Sequence, residues 1–82
     1  MKTRLVFEMA KQKGYRVQQL PDSEYLVHGG HFFAQFFDDE GRAICVEVRA
    51  KDQPHEPGVF CRSLDTLAMF LGLEPNPKQP KQ

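Results

Sequence analysis

Near its start the chain places apolar side chains at Leu5, Val6, Met9 and Ala10, a stripe that repeats with the 3.6-residue period of a helix. This pattern predicts an amphipathic helix capped by Thr3. Lys11 and Lys13 fall in its last turn, where they complement the negative end of the helix dipole, and Gly14 reads as a left-handed stop. Residues 15–20 alternate weakly and predict a further strand, broken by the turn chemistry of Pro21-Asp22-Ser23.

From Glu24 the period changes to two. Residues 24–28 and 31–37 flank Gly29-Gly30, a pair that suits a two-residue hairpin with positive φ angles. Counting outward from that loop sets His28 opposite His31, Val27 opposite Phe32, Leu26 opposite Phe33 and Tyr25 opposite Ala34. Asp39-Glu40-Gly41 predicts a three-residue hairpin with Gly41 in the left-handed bulge position. That turn sets Phe36 opposite Ile44, Ala34 opposite Val46 and Phe32 opposite Val48. One face of the resulting sheet collects Tyr25, Val27, Phe32, Ala34, Phe36, Ile44, Val46 and Val48, and is the expected core. The other collects Leu26, His28, His31, Phe33, Gln35, Phe37, Cys45, Glu47 and Arg49, a mixture that suits a sheet face open to water.

Pro54, Pro57 and Gly58 mark residues 52–58 as a loop before a short extended stretch, Val59-Phe60-Cys61. Ser63 then caps a second helix whose stripe is Leu64, Leu67, Ala68 and Leu71, with Gly72 as its stop and Leu73 as the apolar contact beyond it. Residues 74–82 contain three prolines and no large apolar side chain, and read as a disordered Pro/Lys/Gln tail. The expectation is one domain over residues 1–73. Its class is two-layer α+β, an antiparallel three- or four-stranded meander with the N- and C-terminal helices packed on one face.

Composition narrows the function. With 82 residues, 40% of them hydrophobic, the chain has material for one small core and excludes a large multi-domain enzyme. Eleven basic residues balance eleven acidic ones, which argues against a dedicated phosphate-backbone binder. The charges are nonetheless segregated, with five basic residues against one acid in residues 1–20, and six acids against one base in residues 21–47. The longest apolar run, Leu67 to Leu71, is far too short to cross a bilayer, and Leu5-Val6-Phe7 is too short for the core of a signal peptide. Cys45 and Cys61 lack the paired short spacing of a zinc site or a disulfide framework. A cytoplasmic location and no cofactor are expected.

Three groups could carry chemistry. His28 and His31, opposite each other in the counted register, could share a metal or act as an acid and base pair, with Cys45 and His55 as further ligands; ordinary exposed histidines are the simpler reading, and no metal is expected. Phe33 and Phe37 beside Leu26 and His31 could form a contact surface for a protein, or stack nucleobases. Asp38, Asp39 and Glu40 read as turn chemistry before they read as a metal cluster.

The order helix, three antiparallel strands, helix brings a resemblance into view. Lys13-Gly14-Tyr15 closes the first helix, Gly29-Gly30-His31 opens the middle strand, Gly41-Arg42 opens the next, and Leu71-Gly72-Leu73 ends the last helix. In these features residues 3–73 resemble the double-stranded-RNA-binding domains and the HicA-type toxin ribonucleases built on the same plan. The resemblance implies RNA as partner and His31 as general base. The chain departs from that family in a longer segment between Gly14 and Gly30, in Gly30 where a serine would stand, in an extra strand, and in a final helix without a lysine cluster. The leading expectation is therefore a non-enzymatic interaction module, an inhibitor or accessory protein of a mobile element, that binds a protein partner through Leu26, His28, Phe33, Phe37, Glu47 and Arg49. The alternative is a HicA-like ribonuclease using His31.

Overall fold

The computed structural model describes residues 1–73; the expected tail over residues 74–82 lies outside them. Helix α1 spans Thr3–Lys13, strands β1 to β5 span Arg16–Leu20, Glu24–His28, Phe32–Asp39, Arg42–Ala50 and Val59–Phe60, and helix α2 spans Leu64–Leu71. The strands form one antiparallel meander in the order β1-β2-β3-β4-β5. The fold is thus the expected α+β class. Its strand number is five, not three or four, because both Arg16–Leu20 and Val59–Phe60 find ladder partners at the two edges.

Both helices cover the same sheet face. Val6, Met9 and Ala10 of α1 and Leu67 and Leu71 of α2 bury themselves with Val27, Ala34, Phe36, Ala43, Val46 and Val48. Phe36 is fully buried, its ring stacked on Tyr25 at 5.5 Å between centroids and tilted against Phe7 at 6.3 Å. Of the residues assigned to this face, Phe32 and Tyr25 are only partly buried and pack at its margin.

Two local expectations are corrected, the cap of α1 and the apolar contact of Leu73, while Gly72 ends α2 as expected. Lys2, not Thr3, holds the cap position of α1 and makes no side-chain cap; Thr3 is the first helical residue, and its hydroxyl donates instead to the Asp38 carboxylate, tying the start of α1 to the end of β3. Asp38 is spoken for by this bond. Gly72 ends α2 at φ −88°, outside the left-handed region, and Leu73 beyond it is exposed. Gly14 at φ 76° and Ser63, whose hydroxyl accepts from the Thr66 amide at 3.2 Å, act as expected.

The hairpins differ from the counted ones in an instructive way. The first reverses one residue later, at Gly30-His31: the Gly29 amide donates to the Phe32 carbonyl at 2.9 Å, and Val27 pairs with Ala34 and His28 with Phe33. The register is displaced by two residues, which preserves the face of every side chain. Neither glycine of this pair has a positive φ. Gly29 is required for another reason, because a Cβ there would collide with the Leu71 carbonyl at the end of α2. In the second hairpin Asp39 pairs with Arg42 across a two-residue turn in which Glu40 (φ 51°) and Gly41 (φ 87°) both take the left-handed conformation.

The bulge expected at Gly41 occurs at Cys45 instead. Phe37 pairs with Ile44 but Gln35 pairs with Glu47, so Cys45 and Val46 together stand against Phe36, and Cys45 adopts φ 55°. One extra residue inverts the alternation on the turn side. Ala43 therefore enters the core, and Ile44, expected there, lies on the open face with 41% of its surface exposed.

Candidate functional site

The sheet face away from the helices is built by the outward positions of all five strands, which the pairings arrange into rows. One row runs Arg16, His28, Phe33, Arg49, and the next runs Gln18, Leu26, Gln35, Glu47, Phe60. The third runs Leu20, Glu24, Phe37, Ile44. The six residues singled out from the sequence, Leu26, His28, Phe33, Phe37, Glu47 and Arg49, all stand on this one face. The bulge adds Ile44, and the edge strands add Arg16, Gln18 and Phe60. Phe60 could not be placed by counting because β5 is only two residues long; its 65% exposure makes it the most open aromatic position among the exposed large apolar residues.

Polar groups on the face are held in pairs between the apolar ones. Gln18 Oε1 and His28 Nε2 are 2.9 Å apart, and Gln35 donates to the Glu24 carboxylate. Glu47 accepts from Arg49 Nη2 at 2.8 Å and from the Gly58 amide at 2.9 Å, which fastens the loop over residues 52–58 to β4. Gly58 itself lies so close to the Val48 carbonyl that no side chain would fit. These bonds limit side-chain motion, so the face is presented in one arrangement.

His28 lies beside Phe33 at 6.4 Å between ring centroids. Its pKa is pushed below the ordinary 6.5, first by burial and then by the positive charges of Arg16 and Lys51. A cationic end is thereby marked out on the face, where Arg16, Lys51 and Arg49 surround His28 and Phe33. The acidic turn of Asp39 and Glu40 stands at the opposite end of β3.

His31 does not stand opposite His28, which pairs with Phe33 instead. It sits exposed at the tip of the β2–β3 turn, with its carbonyl accepting from the Lys51 amide at 3.0 Å and Lys51 Nζ donating to the neighbouring Gly29 carbonyl at 3.2 Å. The counted pairing of the two imidazoles is corrected by the two-residue displacement of the hairpin. Among the described residues no three His, Cys, Asp or Glu side chains come together as a metal site, and Cys45 is exposed while Cys61 is buried. Burial pushes the Cys61 thiol pKa up, so it remains protonated and packs as a small apolar group. No helix among the described residues is long and apolar enough to cross a membrane.

Compared with protein-family models, with curated proteins and with solved structures, the chain matches none of them.

Proposed function

We propose that the protein is a non-enzymatic interaction module whose open sheet face binds a protein partner. One observation carries this reading. The face presents Leu26, Phe33, Phe37, Ile44 and Phe60 at wholly or partly accessible positions across four strands, between polar side chains already fixed by hydrogen bonds. Apolar side chains gathered in this way and rimmed by polar groups are characteristic of contact surfaces. Aromatic and arginine side chains supply most anchor residues of protein interfaces, which gives Phe33 and Arg49 that role. The cationic end around Arg16 and Lys51 favours a partner with an acidic patch and steers its approach.

The test compares wild type, Phe33→Ala, Arg49→Glu and His31→Ala, purified and assayed in parallel for capture of the native partner and for cleavage of RNA. Phe33→Ala and Arg49→Glu should each weaken capture at least about tenfold, a loss of about 1.4 kcal/mol, while His31→Ala changes it little. RNA cleavage by wild type that disappears in His31→Ala would replace this reading with the ribonuclease one.

A further inference from the structure

We propose that the free edge of β1 is a self-association surface at which a second copy of this chain adds its own β1 in antiparallel pairing. This inference is independent of what binds the open face. Among the described residues β1 is the terminal strand of the sheet, and its five residues, Arg16–Leu20, pair without interruption with β2 on one side only. The hydrogen-bonding groups on its other side point away from β2 and meet no other strand among those residues.

Sheet edges are ordinarily protected by a proline, a bulge, an inward-pointing charge or a covering segment. The opposite edge has such protection: Cys61, Phe60 and Val59 line β4 near its end, and Met1 to Thr3 bond to Gly41 and Ala43 near its start. β1 has no bulge, no proline and no charge within Val17-Gln18-Gln19-Leu20, and Val17, its second residue, on the helix side, is 38% exposed.

The occupant follows from the geometry and charge of the strand itself. Full overlap of five residues places the two-fold axis at Gln18, so Arg16 faces Leu20 of the second copy and Val17 faces Gln19. Each residue then faces one an even number of positions away, so residues whose polar groups point outward face each other and each outward amide meets a carbonyl of the partner edge. The axis stands normal to the sheet, which joins two meanders into one and keeps both helical layers on the same side. Antiparallel pairing also brings Arg16, at the start of the edge, toward Glu24 of the second copy, which stands beside Leu20 in β2. Arg16 and Glu24 share the open face, with backbones separated across the junction by two strand spacings, about 10 Å, within reach of two extended side chains. The edge is self-complementary in hydrogen bonding, and Arg16 with Glu24 of the neighbouring β2 adds opposite charges across the junction.

A contact of one short strand pair buries little area and should be weak. Sedimentation equilibrium of the full 82-residue chain, from about 10 μM to about 1 mM, covers the range expected of such interfaces. Wild type should rise with concentration toward twice the 9.5 kDa chain mass, and less so at high salt. Val17→Lys brings two ammonium groups diagonally across the axis, and Arg16→Glu repels Glu24 of the second copy. Each should raise the dissociation constant at least about tenfold. Far-UV circular dichroism verifies folding, and Arg16, being exposed, carries the test if Val17→Lys does not fold. A chain that stays monomeric through about 1 mM, or association equal in wild type and Arg16→Glu, would overturn the proposal.

Discussion

Phe36 and Phe37 are neighbours in sequence with opposite environments, and their truncation tests the whole assignment of faces. Phe36 is fully buried among Tyr25, Phe7 and the helix side chains, whereas Phe37 stands on the open face with 37% of its surface exposed. Removing a buried Phe ring costs about 3 to 5 kcal/mol, the sum of lost transfer energy and the cavity left behind. The stacked Tyr25 and tilted Phe7 rings lose their shared partner at the same time, which places Phe36→Ala in the upper part of that range. Domains of this size have total stabilities near the lower end of about 5 to 15 kcal/mol, so the variant should be largely unfolded at room temperature. Phe37→Ala removes a side chain that still touches water on one side and should cost about 1 kcal/mol or less. Urea unfolding followed by circular dichroism reads the difference: with a slope near 1 kcal/mol per molar for a small protein, the Phe36→Ala midpoint falls by roughly 4 to 5 M, that is, to near zero urea. Equal shifts for the two variants, or a larger one for Phe37→Ala, would refute the register between β2, β3 and β4.

Two further outcomes are expected. Cys45→Gly should be neutral or slightly stabilising, because Cys45 holds a left-handed φ of 55° that glycine adopts without strain, whereas Cys45→Val should lose about 1 to 2 kcal/mol in thermal or urea unfolding; the reverse order would remove the bulge from this position. His28 should titrate below 6.5 by NMR, and Arg16→Gln should move it upward by removing one of the two charges that lower it. Because the unfolded chain takes up this proton first, the stability owed to neutral His28 is complete above pH 6.5 and is lost as pH falls from there through the folded value, and His28→Gln should flatten that part of the profile.

What the sequence determined by itself was periodicity, and with it the class of the fold and most of the candidate site. A 3.6 period at Leu5, Val6, Met9 and Ala10 and at Leu64, Leu67 and Leu71 can only bury one stripe of each helix, and a period of two through residues 24–37 sorts side chains between two faces wherever the turn falls. That is why a hairpin displaced by two residues left Leu26, His28, Phe33 and Phe37 on the open face as expected, although His28 lost His31 as its neighbour. Ile44 was decided by tertiary structure alone. Its face depends on a single extra residue at Cys45, where no glycine signals a left-handed conformation, and an odd displacement inverts every side chain between the bulge and the turn. Gly29 was legible as a special position for the wrong reason: the turn makes no demand on its φ, while the backbone of α2, 42 positions away at Leu71, leaves no room for a Cβ. The placement of β1 and β5 likewise depended on the sheet being there to receive them. Strands of five and two residues have little stability of their own, and what holds them is the ladder offered by β2 and β4.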